Sequence, residues 1–246
     1  MIELKRVRKV YGDKVALDEL NLTIKNGTIF GFLGHNGAGK STTIKSIVSI
    51  INPTAGEIIV DGENLAEHRQ AIKERIGYVP DTPDMFLQLT ADEYWILLAS
   101  AYNLTEEQKN KQVAYLTRLF DIQGQENNTL ESFSHGMRQK VIVIGALLSD
   151  PDIWILDEPL QGLDPQAAFD LKELMKEHAR KGNTVVFSTH NLDTAQQLCD
   201  ELAILKKGEL IYNGTVDDLL ATSPGESLET IYLRMTGRHS DEQPGS

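Results

Sequence analysis

Lys40 and Ser41 close the octapeptide GHNGAGKS, Gly34 to Ser41, whose spacing is G-x-x-x-x-G-K-[ST]. Glycines at this spacing let the backbone curl so that successive N–H groups point inward as a nest for phosphate oxygens. A helix opening at the same point adds partial positive charge. Gly34, Asn36, Gly37, Ala38, Gly39, Lys40, Ser41 and Thr42 are therefore the expected phosphate cradle. Lys40 is expected to reach the β- and γ-phosphates, and Ser41 to hold Mg²⁺. A second stretch, DIWILDEP, sets Asp157 and Glu158 directly after an apolar run. A carboxylate ending a buried strand beside a phosphate loop suits the cation, which assigns Asp157 to metal. Glu158 is then the group that orients or deprotonates an attacking water. His190 ends a third stretch, TVVFSTH, and is expected at the γ-phosphate. Lys40, Glu158 and His190 are thus the catalytic candidates for hydrolysis of a nucleoside triphosphate. No Asn-Lys-x-Asp tetrapeptide for reading guanine occurs, and Tyr11 upstream is a candidate for stacking on adenine.

Strand ends must bring these groups together. The β-rich runs GTIFGFLG (27–34), DIWILD (152–157) and TVVFST (184–189) alternate with helical patterns, which predicts a mostly parallel sheet with ligands at its carboxyl rim. After the phosphate loop, Ile44, Ile47, Val48 and Ile51 fall on one helical face. Asp164 as N-cap, Pro165 at the first helical position and Gly182 as a stop delimit another helix. Residues from about 84 to 150 lack strand signals and are expected to form an inserted helical lobe. Small β regions are expected near each end, in MIELKRVRKVY and ELAILKKGELIYNG. The expected fold is α/β, a P-loop core with a small antiparallel β region. One ATPase domain is placed at 1–220 and a C-terminal extension at 221–246, whose end, RHSDEQPGS, has a disordered composition.

Composition narrows the setting. The longest apolar run, VIVIGALL at 141–148, falls well short of the roughly 18–20 residues that span a bilayer. The beginning, MIELKRVRKV, lacks the apolar core of a signal peptide, so a cytoplasmic protein, or one held on a membrane by something else, is expected. Cys199 is the single cysteine, which excludes an internal disulfide and fits a buried structural thiol. A net charge of −12 and a pI near 4.9 weigh against broad nucleic-acid binding.

A further helix start, FSHGMRQK at 133–140, has Ser134 to cap it and no evident role in a lone ATPase. The order of the phosphate loop, FSHGMRQK, IWILDEP, LQGLD and STH resembles the ATP-binding cassette (ABC) ATPases over about residues 2 to 220. That resemblance implies a head-to-tail dimer in which Ser134 and Gly136 meet the partner's ATP, Tyr11 stacks on adenine and Asp164 contacts the opposite subunit. Two departures stand out. Phe133-Ser134-His135-Gly136-Met137 replaces the family's usual Leu-Ser-Gly-Gly-Gln, and His135 fits only if its backbone avoids positive φ. Asp81 follows IGYVP where the family has Gln, and is a candidate metal group through water. In the family the following stretch, 81–102, faces the membrane subunit, so Met85, Phe86 and Leu87 are either a docking surface or part of the lobe core.

The stretch VPDTPDMFLQLTADEYW and the tail SLETIYLRMTG are most similar to bacterial exporter-type ATPases of the ABC-2 and Ecs-type groups. The resemblance implies ATP and Mg²⁺ as ligands, separate transmembrane permease subunits and a second ABC ATPase subunit, identical or different. It also implies a site on the cytoplasmic face of the cell membrane, and no nucleic acid is expected. The alternative is a soluble ABC ATPase acting on DNA, ribosomes or an assembly process. Against it stand the single cassette and the lack of a heptad run between the phosphate loop and FSHGMRQK.

Overall fold

The computed structural model describes residues 1–237, so RHSDEQPGS (238–246) lies outside the described residues. The chain opens with a hairpin of β1 (Ile2–Tyr11) and β2 (Lys14–Ile24), turning at Gly12, whose φ of +56° suits glycine. Ile2, Leu4 and Val7 on one strand, with Leu20, Leu22 and Ile24 on the other, are buried on the shared face. After β3 (Ile29–Leu33) and α1 (Lys40–Ile47), β4 (Ala55–Val60) and β5 (Glu63–Asn64) complete a four-stranded antiparallel sheet in the order β2-β1-β4-β5.

The chain continues through α2 (Arg69–Glu74), β6 (Ile76–Val79), α3 (Ala91–Ala101), α4 (Glu106–Leu119), α5 (His135–Leu147) and β7 (Ile153–Leu156). It then passes through α6 (Pro165–Arg180), β8 (Thr184–Thr189), α7 (Leu192–Leu198), β9 (Glu201–Lys206), β10 (Glu209–Thr215), α8 (Val216–Ala221) and α9 (Leu228–Thr236). The six-stranded sheet has the order β10-β9-β3-β8-β7-β6, with every pair parallel except β9 and β10. β3, β7 and β8 are buried along their whole length, covered by α5 and α6 on one face and by α1 with the antiparallel sheet on the other.

Both terminal stretches form β structure as expected, and they join different sheets. The first enters the antiparallel sheet, whereas the second forms the β9–β10 hairpin on the edge of the main sheet, because Leu202 to Leu205 are buried and β9 pairs with β3. The helix after the phosphate loop stops at Ile47 rather than continuing to Ile51. Ser49 adopts φ +55° and Asn52 precedes Pro53, both unfavourable to helix continuation. Within the C-terminal extension, α9 buries Leu228, Ile231 and Tyr232 against Leu33, Leu202 and Ile204, whereas the end expected to be disordered lies outside the described residues.

α3, α4 and α5 carry the helical stretch. Capping boxes at Thr90/Glu93 and Thr105/Gln108 start the first two, and Ser134 caps the third. The run VIVIGALL is buried on α5, where the Trp95 indole donates to the Val141 carbonyl at 3.1 Å. α5 lies so close to β6 that a Cβ on Gly77 would stand 2.2 Å from the Ala146 carbonyl oxygen. The Cys199 thiol packs against Gly31, and burial pushes its pKa up, as suits an inert structural thiol.

Candidate active site

The carboxyl ends of β3, β8 and β7 are neighbours in the main sheet, and they deliver the three chemistry-bearing stretches to one rim. Leaving β3, the loop turns through Gly37 at φ +80° and Gly39 at φ +114° before α1 begins at Lys40. Gly34 is required for a different reason. A Cβ there would lie 2.7 Å from the Leu205 carbonyl oxygen and 2.8 Å from the Ala38 Cβ. The loop is closed on itself by an Ala38 N–H to His35 carbonyl bond of 3.0 Å. Lys40, although buried, donates to the Gly34 carbonyl at 2.6 Å and lies 3.3 Å from Glu158 Oε1.

Asp157 is fully buried at the end of β7. One of its oxygens accepts from the Ser188 hydroxyl at 2.5 Å, and the other, Oδ2, has no hydrogen-bond partner among the described residues. Burial pushes the Asp157 carboxyl up from its ordinary range, against the hydrogen bonds from Ser188 and Ser41 that pull it down. Ser188 Oγ also accepts from the Glu158 backbone N–H at 2.9 Å, so one hydroxyl ties the Asp157 carboxylate to the Glu158 backbone. Glu158 is held at φ +48°, an uncommon region for a non-glycine residue. Its Oε2 lies 3.0 Å from His190 Nδ1. Glu158 thus stands between a buried lysine and a half-exposed histidine, with each carboxylate oxygen facing one of them.

A cavity of about 530 Å³ opens over the phosphate loop. Tyr11, Asn36, Gly37, Gly39, Lys40, Ser41, Thr42, Asp81 and Glu158 line it, so most of the expected residues converge. Gly34 and Ala38 lie beneath it and shape the loop rather than face the cavity. His190 does not line it and reaches it only through Glu158. Tyr11 is 48% exposed at the rim, with the Lys9 ammonium 5.0 Å from its ring centre. Asp81 stands 3.8 Å from Lys45 on α1.

Ser134 and Gly136 do not line this cavity, although His135 between them does. The Ser134 hydroxyl accepts from the Met137 N–H at 3.3 Å, and a Cβ on Gly136 would meet the Gly162 carbonyl oxygen at 2.6 Å. His135 is the first residue of α5 and is not among the residues with positive φ, which is how its Cβ is accommodated. Asp164 caps α6 through the Ala167 N–H at 2.8 Å and pairs with Lys140 at 2.9 Å.

A family model described as ABC transporter matches residues 17–161. The ABC-type transporter ATP-binding protein EcsA of Bacillus subtilis strain 168 is 35% identical over 238 residues, covering 96% of each chain. The chain belongs to the ABC transporter family.

Within that family it is an ATP-binding, ATP-hydrolysing subunit. Nod factor export ATP-binding protein I of Cupriavidus pinatubonensis is 32% identical, with 94% of this chain matching 71% of that protein. A solved ATP-binding subunit of an ABC transporter superposes with a TM-score of 0.90 at 35% identity, over 96% of this chain and 99% of the other. The ATP-binding cassette MJ0796, solved as a dimer in a post-hydrolysis state with ADP and Pi, superposes with a TM-score of 0.80 at 28% identity, over 88% and 99%. Sequence reasoning passed over several residues of this ABC ATPase site, among them Lys14, His35 and Thr82 in the cavity lining. Ser188 is visible only as an inward position of TVVFST, and Gln161 lines the cavity from LQGLD.

A second groove, of about 560 Å³ and mainly apolar, lies beyond Asp81 between Lys45, Tyr78, Tyr94 and Tyr102. Met85 and Phe86 line it at 47% and 46% exposure, whereas Leu87 packs into the lobe core. Leu87 thus follows the core reading, while Met85 and Phe86 are exposed.

Proposed function

We propose that this chain drives export through separate transmembrane subunits, working from the cytoplasmic face of the membrane as one half of an ATP-closed dimer. The single observation that carries the mechanism is Glu158, flanked by Lys40 at 3.3 Å and His190 at 3.0 Å. An incoming γ-phosphate draws Lys40 away from the Gly34 carbonyl and Glu158. Glu158 is then free to accept a proton from the attacking water, while His190 holds its other oxygen in place. Tyr11 stacks on adenine, and the loop from Gly34 to Thr42 holds the phosphates.

Ser41, Asp157 and Asp81 fit Mg²⁺, a hard cation bound by oxygen. The orphaned, buried Oδ2 of Asp157 and the Ser41 hydroxyl beside that carboxyl support this reading. Mg²⁺, when bound, neutralises negative charge on the phosphate oxygens. Ser134 and Gly136 do not line the cavity over their own phosphate loop, and the family resemblance supports their serving the ATP of a second ABC subunit. Export and the separate permease rest on similarity to exporter ATPases and on the apolar groove at Met85 and Phe86. Among the described residues no helix is long and apolar enough to cross a membrane.

Light scattering on Glu158→Gln tests the composite site. ATP with Mg²⁺ is expected to convert a monomer into a dimer, ATP turnover to fall at least about 100-fold, and Ser134→Arg to abolish the dimer. A monomer that binds ATP in every variant would sink the homodimer. ATP turnover unchanged in Glu158→Gln would remove Glu158 from the chemistry.

A further inference from the structure

The tail SLETIYLRMTG has no part in the mechanism above, yet it is built into the strand that feeds the phosphate loop. Ser227 caps α9 through the Thr230 N–H at 3.2 Å, and Gly237 ends the helix at φ +80°. Arg234 fastens the preceding turn, donating to both Glu226 oxygens at 3.0 and 2.8 Å and to the Ser223 hydroxyl at 2.5 Å. With α9 held in this way, Leu228, Ile231 and Tyr232 sit in one cluster with Leu33, the last residue of β3. Ala195 of α7, the helix just after His190, belongs to the same cluster. Tyr232 is 4% exposed, and its ring meets the imidazole of His35 edge-on, at 5.3 Å between centres and 64° between planes. His35 is the second residue of the phosphate loop, and its carbonyl accepts the Ala38 N–H and lies 3.4 Å from Lys40 Nζ.

We propose that Tyr232 is a positioning residue for the nucleotide, acting through the edge-on contact of α9 with His35 to hold the phosphate loop in its binding shape. Gly34, Gly37 and Gly39 leave this loop costly to order, so a contact that fixes His35 in advance removes part of that cost from binding. An edge-to-face aromatic pair is strong enough to matter at this level. The effect belongs to affinity rather than to the chemical step, because the contact acts on the loop that binds phosphate. The inference rests on ATP being held by this loop.

The test is a titration with mant-ATP and Mg²⁺, paired with steady-state ATP hydrolysis, on the full chain and on Tyr232→Phe, Tyr232→Ala, His35→Ala and the double variant. Tyr232→Ala is expected to weaken mant-ATP binding and raise KM for ATP about 3- to 10-fold, with kcat within about 2-fold. Tyr232→Phe keeps the ring edge and should stay within about 2-fold of the unaltered chain. In the double variant the losses should not add, because both substitutions break one contact. Tyr232→Leu refills the apolar space without the ring, and should show the same loss of affinity if Tyr232→Ala fails to fold. Unaltered affinity in a folded Tyr232→Ala or Tyr232→Leu, or fully additive losses, would overturn the proposal. Failure of the unaltered chain to bind mant-ATP would overturn the ATP reading of the loop, and this inference with it.

Discussion

Three glycines of the phosphate loop are needed for different physical reasons. At Gly34 a side chain has no room, with the Leu205 carbonyl 2.7 Å from the would-be Cβ. At Gly37 there is open space, but φ is +80°. Gly39 combines φ of +114° with the Ala16 carbonyl 3.1 Å from a Cβ. Gly34→Ala is therefore expected to destabilise the fold by about 1–3 kcal/mol, as overpacking against backbone does. Gly37→Ala should cost only about 1 kcal/mol, the strain of a left-handed residue. Thermal unfolding of both variants checks this, and equal melting temperatures would mean that the two positions have been read wrongly. The motif pattern names both glycines, but it cannot distinguish them, because the Leu205 carbonyl arrives from a strand about 170 residues away.

Among elements, the two sheets are joined at Arg75, which lies between α2 and β6. Its guanidinium donates to Asp61 at 2.6 Å and to Asp152 at 2.8 Å, tying the turn after β4 to the start of β7. Burial alone would raise the Asp61 carboxyl, but hydrogen bonds from the Met1 ammonium, Arg75 and Asn26 hold it at about 2. A carboxyl lowered on folding stabilises the folded state above its ordinary range, and that contribution is lost as pH falls through its folded value. Arg75→Ala should lower stability by about 1 kcal/mol at neutral pH, a small figure because these groups are partly solvent-screened. The gap in melting temperature to the unaltered chain should close as pH drops from about 4 toward 2. A gap that stays constant to pH 2.5 would show that Arg75 acts through packing instead.

Across the whole molecule, Asp81 and Thr82 are shared by the nucleotide cavity and the apolar groove of Met85 and Phe86. A transmembrane partner seated in that groove would lie one residue away from the phosphate site, a short path for coupling closure to transport. Met85→Ser with Phe86→Ser, both at exposed positions, is expected to leave hydrolysis by the isolated chain within about 2-fold, since surface changes away from a site are usually near-neutral. Transport, or stimulation of hydrolysis by membrane subunits, should fall sharply. Full transport in that variant would move the docking surface elsewhere on the molecule.

What the sequence determined by itself was local. The phosphate loop, the Asp157–Glu158 pair, the caps at Ser134 and Asp164 and the helical face of α5 all lie within short windows, where spacing and periodicity carry the physical constraint. Tertiary structure alone decided the rest. It brought β9 onto β3, placed the Ser188 hydroxyl between the Asp157 carboxylate and the Glu158 N–H, kept His190 behind Glu158 and seated Tyr232 on His35. It also set His135, but not Ser134 or Gly136, in the lining of the nucleotide cavity. These are contacts between segments far apart in sequence, and they are settled by which buried faces fit together when the layers pack.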